Sequence, residues 1–263
     1  MPQSRKVTAP RIKEMRAAGE RIVCVTAYDY FSASVADEAG VDLILVGDSV
    51  GNTVLGYSNT IPVSLDDMVH HTSAASRGVS SAMLVADLPF GSYQACTKDA
   101  VDAAVRLIKA GATAVKLEGT YTEEIRAITK AGIPVMGHVG MTPQSIHNFG
   151  GFRAQGRGEG GLAVAESAKA IEEAGAFSIV LELIPGELAK RITENAAVAT
   201  IGIGAGPYCD GEIQVFHDVL GLETMKLRHA KRYLDGRQIF RSALEEYSRE
   251  VREKLFPSEE HTL

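Results

Sequence analysis

The stretch Ala82-Met-Leu-Val-Ala-Asp87, then Thr97-Lys-Asp-Ala-Val-Asp-Ala-Ala-Val-Arg-Leu-Ile-Lys109, then Ala110-Gly111 and Thr113-Ala-Val-Lys-Leu117 decides the fold. A nearly continuous apolar run reads as a strand covered on both faces, where a half-exposed strand would alternate. The next segment carries apolar residues at helical spacing and ends in Ala-Gly, where glycine takes the left-handed geometry that closes a helix. A second apolar run follows at once. Strand, helix, strand in that order is one unit of a parallel sheet.

The unit recurs in both directions along the chain. Strands are expected at 22–26, 43–47, 82–86, 113–117, 133–137, 177–181, 197–201 and 213–216. Helices are expected at 31–39, 65–76, 97–109, 122–130, 162–173 and 187–194, with Ala39-Gly40, Ala131-Gly132 and Ala174-Gly175 repeating the closing signal. Ser64 and Thr97 read as N-caps; with Asp67 and Ala100 three residues on, neither completes a Ser/Thr-to-Glu/Gln capping box. Eight strands with crossover helices predict an α/β protein, a (β/α)8 TIM barrel, over an open doubly wound sheet. Residues 1–20 form an N-terminal extension suited to covering the barrel bottom, and the last forty residues supply additional C-terminal helices. No linker rich in Pro, Gly or Ser divides the chain, so 1–263 reads as a single catalytic domain.

The 33 acidic and 27 basic residues are interspersed and give a net charge of -6, without the basic patch of a nucleic-acid footprint. The charges around Arg249, Glu250, Arg252, Glu253 and Lys254 read as a solvated or interfacial helix. Cys24, Cys96 and Cys209 match neither a metal clip nor a disulfide scaffold, and Cys24 reads as a core thiol. No run of about 18 apolar residues suggests a membrane span, and the N-terminus lacks an apolar signal core, so the cytoplasm is the expected location.

Barrel chemistry gathers at the C-terminal ends of the strands. Asp48 follows the second expected strand and Asp87 the third, which places two like charges on one rim. Such a pair repels unless a proton or cation intervenes, and two carboxylates suit Mg2+, which keeps several waters or substrate oxygens. Either aspartate alone reads equally well as a helix cap or loop anchor. Lys116 and Glu118, two apart on one strand face, could neutralise an anionic substrate and orient a metal-bound water, or simply pair with each other. Glu182 interrupts an apolar run at the end of the sixth strand. A carboxylate there is expected to hold its proton more tightly, which suits a base near neutral pH; a rim salt bridge is its bland role. His138 could donate to a substrate carboxylate or developing enolate, and Ser49 could contact substrate.

Less is expected of four other features. Tyr28 and Asp29 could support the site, cap a helix or merely pack. His70-His71 lacks a third ligand and is rejected as a zinc site. Gly202-Ile-Gly-Ala-Gly206 is a weak anion-site signal that close packing explains nearly as well. The long segment 138–157, with Arg153 and Arg157, reads as a cover over the catalytic end or as an irregular surface loop.

Six fragments in order, Thr26-Ala-Tyr-Asp-Tyr30, Val46-Gly-Asp-Ser-Val50, Ala86-Asp-Leu-Pro-Phe90, Val115-Lys-Leu-Glu-Gly119, Gly137-His-Val-Gly-Met-Thr-Pro-Gln144 and Ile201-Gly-Ile-Gly-Ala-Gly206, carry a resemblance over nearly the whole chain. They resemble the ketopantoate hydroxymethyltransferase family. The resemblance implies formation of ketopantoate, a precursor in pantothenate biosynthesis, from 3-methyl-2-oxobutanoate and 5,10-methylenetetrahydrofolate. It implies Asp48 and Asp87 as magnesium-site carboxylates, Glu118 beside the metal's water shell, and Ser49, Lys116 and His138 as substrate contacts, with Lys116 also stabilising charge. It implies Glu182 as the base, and a homo-oligomer, typically a decamer. No short motif identifies the folate contacts. A magnesium-dependent barrel lyase acting on a C–C bond of a 2-oxo or hydroxy acid is the alternative enzyme, weakened by the lack of a strand-end catalytic cysteine. A non-enzymatic anion-binding barrel fits poorly with so many acids.

Overall fold

In the computed structural model, which describes residues 6–263, all eight expected runs form parallel strands. They are β1 (Ile22–Thr26), β2 (Leu43–Val46), β3 (Met83–Asp87), β4 (Ala114–Lys116), β5 (Val135–Gly140), β6 (Ser178–Glu182), β7 (Ala199–Ile203) and β8 (Gly211–Gln214). Each pairs with the next, and β8 pairs back onto β1, so the sheet closes as a barrel. β2, β3 and β4 are buried along their whole length, as unbroken apolar runs require.

Alternation along each strand decides what the barrel encloses. One buried cluster takes Cys24 from β1, Leu43 and Leu45 from β2, Met83 and Val85 from β3, and Ala114 from β4. Met136, Val180, Ala199, Ile201 and Ile213 continue it through β5 to β8. Two residues further along the same parity stand Asp87, Lys116, His138 and Glu182, and one more step from Lys116 reaches Glu118. The interior is therefore apolar toward the strand starts and charged toward the strand ends.

The strand starts are closed by α1 (Ala9–Ala17), whose Ile12 and Met15 belong to the same apolar cluster. Thr8 caps it with a long hydrogen bond to the Arg11 amide. The N-terminal extension thus covers the barrel bottom, as its position suggested; residues 1–5 lie outside the described part.

Helices α2 (Tyr30–Glu38), α3 (Val50–Thr53), α4 (Leu65–Ser76), α5 (Thr97–Lys109), α6 (Thr122–Lys130), α7 (Ile146–Phe149), α8 (Gly160–Glu173) and α9 (Gly186–Asn195) occupy the connections. The short α3 and α7 were not expected. Gly40, Gly111, Gly132 and Gly175 follow α2, α5, α6 and α8 with positive φ, as the Ala-Gly pairs predict. Two cap assignments need correction. Cys96, not Thr97, is the N-cap of α5, and its side chain makes no cap bond. Ser64 does cap α4, and Asp67 completes a reciprocal box, its carboxylate taking the Ser64 amide at 2.9 Å. Aspartate reaches that amide as glutamate would. Before β3, the Asp37 carboxylate accepts the amides of Ser80, Ser81 and Ala82, which seats the chain entering the strand that carries Asp87.

The chain divides into two compact units, Met1–Val215 and Phe216–Leu263. The second contains α10 (Phe216–Val219) and α11 (Gly236–Arg252), the added C-terminal helices. On α11 the Arg249 guanidinium pairs with Glu246 at 2.6 Å and Glu253 at 2.5 Å. These exposed pairs satisfy the local charge run within the helix. Phe240, Leu244, Tyr247 and Val251 recur at helical spacing on α11 and are exposed.

Candidate active site

The strand ends bring Asp48, Asp87, Lys116, Glu118 and His138 into one buried group, none more than 4% exposed. Parallel pairing sets Asp87 opposite Lys116, and Lys116 Nζ donates to Asp87 Oδ1 at 2.7 Å. The other oxygen, Asp87 Oδ2, accepts the Asp48 amide at 2.9 Å, so one carboxylate ties three successive strand ends together. Neither aspartate serves as a helix cap: the N-cap of α3 is Ser49, with no side-chain cap bond.

Charge in this group is unbalanced. Burial, then repulsion from Asp87 and Glu118, raises the Asp48 carboxyl well above the usual carboxylate range, despite opposing help from Lys116. Burial also works against the Lys116 charge, but Asp87, Glu118 and Asp48 outweigh it and raise the ammonium. For Glu118 burial is again the largest influence and opposes ionisation. His138, Lys116 and the Gln144 amide overcome it and hold this carboxyl below its usual range.

His138 lies between two carboxylates, with Nδ1 3.4 Å from Glu118 Oε1 and Nε2 3.2 Å from Glu182 Oε2. Those are ion-pair distances; neither ring nitrogen is aimed well enough to make a hydrogen bond. Burial and Lys116 disfavour the imidazolium, yet the two carboxylates prevail and push the group up to about 9. Glu182 is the most accessible of the charged residues, with 14% of its side chain exposed. Its carboxylate faces the His138 ring across the β5–β6 pairing. The next residue, Leu183, has φ of 48°, a left-handed conformation costly for a side chain of its size. Such strain concentrates at functional sites.

Ser49 is half-buried, and its hydroxyl shares a 2.9 Å hydrogen bond with Tyr28, which accepts from Thr26 at 2.8 Å. Tyr28 thereby joins the site. Its buried phenol is pushed up to about 12, chiefly by desolvation. Asp29 instead caps α2 through a reciprocal box with Ser32. His71 Nδ1 donates to the Tyr28 carbonyl oxygen at 2.7 Å, tying α4 to the turn after β1. In the Gly202–Gly206 turn, a side chain on Gly202 would lie 3.0 Å from Glu212 Oε2 and 3.1 Å from Cys209 Sγ, which favours close packing.

Sequence reasoning missed Gln144 and Tyr93 as parts of the group. Gln144 Nε2 donates to Asp48 Oδ2 at 2.9 Å, and its backbone amide donates to Glu118 Oε2 at 2.9 Å. The Tyr93 hydroxyl donates to Gln144 Oε1 at 2.7 Å and accepts the Glu118 amide at 3.1 Å. Both come from loops, where no strand parity marks which side chain turns inward. The available signal was Pro143-Gln144 directly after a strand end. In the segment after β5, Phe152, Arg153 and Arg157 are exposed, and the Gln155 amide binds the Leu183 carbonyl at 3.0 Å.

Oxygen donors from Asp48 and Asp87, with Glu118 near them, suit a hard divalent cation. The raised Asp48 carboxyl marks negative charge that Lys116 alone does not offset. Among the described residues no group of three or more His, Cys, Asp or Glu side chains is arranged to hold a metal ion by itself. Mg2+ needs none, since one or two carboxylates with waters and substrate oxygens complete its shell.

Solved structures similar in fold include a phosphonopyruvate hydrolase in complex with oxalate and Mg++, with TM-score 0.64 and 15% identity over 97% of this chain and 93% of that one. A phosphoenolpyruvate phosphomutase from Streptomyces platensis subsp. rosaceus gives TM-score 0.65 and 12% identity, covering 97% of this chain and 91% of its own. At such identity the likeness is one of fold alone, a closed (β/α)8 barrel. Sequence relatives are far nearer. A 3-methyl-2-oxobutanoate hydroxymethyltransferase of Moorella thermoacetica is 53% identical, spanning 100% of this chain and 99% of the relative. One from Ignicoccus hospitalis is 51% identical over 97% and 98% of the two chains. The family model described as ketopantoate hydroxymethyltransferase matches residues 6–259, which include every strand of the barrel and all the charged residues at its mouth. By that match and these identities, the chain is an enzyme belonging to the ketopantoate hydroxymethyltransferase family.

Proposed function

We propose that this enzyme transfers a hydroxymethyl unit from 5,10-methylenetetrahydrofolate to 3-methyl-2-oxobutanoate in a magnesium-dependent reaction, giving ketopantoate for pantothenate biosynthesis. The observation that carries the reading is the buried rim group of Asp48, Asp87, Lys116, Glu118 and His138, with Glu182 at its edge, in a member of this family.

Asp48 and Asp87 would hold Mg2+, with Glu118 ordering its water shell. When bound, the ion supplies Lewis acidity toward the carboxylate and 2-oxo oxygens of the substrate. Ser49 and His138 offer hydrogen bonds to those oxygens, and Lys116 faces the charge that develops as the carbonyl becomes an enolate. Glu182 takes the proton from C3, and its pairing with His138 fixes where that carboxylate points. C3 then forms a bond to the folate one-carbon unit, whose bonds to folate nitrogen break, and water supplies the product hydroxyl. The protein positions and electrostatically prepares the reactants, while folate carries the carbon.

Three coarser features belong to the same proposal. The apolar stripe on α11 supports a homo-oligomer, with a decamer as the expected size. Residues 1–263 are proposed to act as one catalytic domain, with every proposed site residue in the unit Met1–Val215. A cytoplasmic setting is proposed with them; no helix among the described residues is long and apolar enough to cross a membrane.

Purified enzyme supplied with 3-methyl-2-oxobutanoate, Mg2+ and methylenetetrahydrofolate should release ketopantoate and tetrahydrofolate together. Asp48→Asn should lose Mg2+ and substrate binding in parallel while keeping its circular dichroism spectrum, and the active particle should scatter light as an oligomer. Equal turnover without folate, formaldehyde being excluded, defeats the transfer reading. Wild-type Mg2+ affinity in the folded variant defeats the metal assignment, and a fully active monomer defeats the assembly.

A further inference from the structure

Gln144 sits one residue after Pro143 in a short turn beyond β5 and is 6% exposed. All its side-chain polar atoms are engaged. Nε2 donates to Asp48 Oδ2 and to the Leu88 carbonyl at 3.0 Å; Oε1 accepts from the Tyr93 hydroxyl and from Gln94 Nε2 at 3.1 Å. Turning the amide over would aim its oxygen at two acceptors, Asp48 and Leu88, and its NH2 group at the Gln94 amide nitrogen. One orientation satisfies the network.

This residue therefore binds two acids at once, Asp48 through its side chain and Glu118 through its backbone amide. Asp48 and Glu118 repel each other and Asp87, so without a bridge each would relax away from the shared space. A lysine or arginine reaching the same oxygens would also hold them, but its charge would compete with a cation. An amide orients the carboxylates and leaves their negative charge uncancelled. Only Oδ2 of Asp48 is taken; among the described residues no hydrogen-bond donor engages Oδ1.

We propose that Gln144 is a positioning residue for the cation site, holding Asp48 and Glu118 in the arrangement that receives Mg2+, with Tyr93 and Gln94 fixing the direction of its amide. The inference rests on the magnesium reading above. Partners of metal ligands commonly change metal affinity by about 10- to 100-fold when removed. Gln144→Met keeps the length and volume but deletes the donor to Asp48.

The test titrates Mg2+ alone into metal-free protein, followed by calorimetry and by the rise in melting temperature. Gln144→Met should bind Mg2+ about 10- to 100-fold more weakly than wild type, and its turnover should recover as Mg2+ is raised. A purely structural role would lower the metal-free melting temperature without changing the affinity. Tyr93→Phe removes only the hydroxyl that fixes the amide and should show a smaller loss of affinity in the same direction. Unchanged Mg2+ affinity in folded Gln144→Met overturns the proposal. Should that variant not fold, unchanged affinity in Tyr93→Phe does so. A wild-type protein that binds no Mg2+ overturns the metal reading itself, whereas wild-type binding retained in the variants overturns this inference alone.

Discussion

Lys116→Met is expected to destabilise the metal-free protein by about 3–5 kcal/mol, the usual cost of removing one partner from a buried ion pair. Lys116 and Asp87 are 2.7 Å apart with side chains 5% and 3% exposed, so neither charge has water to fall back on. Methionine fills the same volume but leaves Asp87 without its ion-pair partner and Asp48 without its offsetting charge. At about 2–4 °C per kcal/mol for a chain of this size, the melting temperature should fall by on the order of 10 °C. Adding Mg2+ should recover part of that loss, because the ion meets the same excess charge. The exposed pair Lys98–Asp102, with side chains 79% and 62% exposed, supplies the control. Lys98→Met should leave the unfolding midpoint essentially unchanged, because water screens that pair. Urea unfolding of the three proteins decides the matter; a Lys116→Met loss no larger than that of Lys98→Met contradicts the account.

Gly140→Ala should damage stability and turnover together. Gly140 ends β5 opposite Glu182 in the sheet register, with φ of 98°. A Cβ there would lie 2.7 Å from Ile184 Cγ2 and closer still to the Glu182 carbonyl oxygen, which also accepts the Met141 amide at 2.9 Å. The left-handed conformation costs an L-residue about 1–2 kcal/mol, and forcing atoms into a packed site adds about 1–3 kcal/mol. Backbone cannot swing aside as a flexible side chain can, so the Glu182 peptide must shift. A displacement near 1 Å at a catalytic group lowers turnover about 100-fold. Gly132→Ala separates the two effects, since Gly132 has φ of 87° and open space where its Cβ would be. It should pay only the conformational cost, with turnover intact. Gly140→Ala behaving like Gly132→Ala would remove the steric argument.

The strands were legible because burial on both faces leaves an unbroken apolar run. Boundaries slipped where that signal failed. β5 continues through His138 to Gly140 although a histidine and glycines interrupt the run, because pairing with β6 persists through Gly140 opposite Glu182. β8 begins at Gly211 and alternates in burial, so its apolar pattern marked only part of it. Strand ends and period-two spacing marked Asp48, Asp87, Lys116, Glu118, His138 and Glu182 as residues of the barrel mouth, and the family resemblance joined them into one expected site. Gln144 and Tyr93 were not, since loop geometry selects which of their neighbours turns inward. The contact of Glu182 with His138, 44 positions earlier, was not legible either, because adjacent letters do not say which side chains meet across strands.

Exchange of the single C3 proton of 3-methyl-2-oxobutanoate in D2O, followed by NMR with enzyme and Mg2+ but no folate, tests the enolisation at the centre of this account. Glu182→Gln preserves size and hydrogen bonding while removing the proposed proton acceptor. If folate is needed to close the site, a non-reactive folate analogue takes its place in both samples. The account predicts rapid deuterium incorporation with wild-type enzyme and loss of most of it with Glu182→Gln, Mg2+-dependent substrate binding being retained. Wild-type exchange by the folded Glu182→Gln protein would contradict it and move the base to Glu118, His138 or a water of the metal shell.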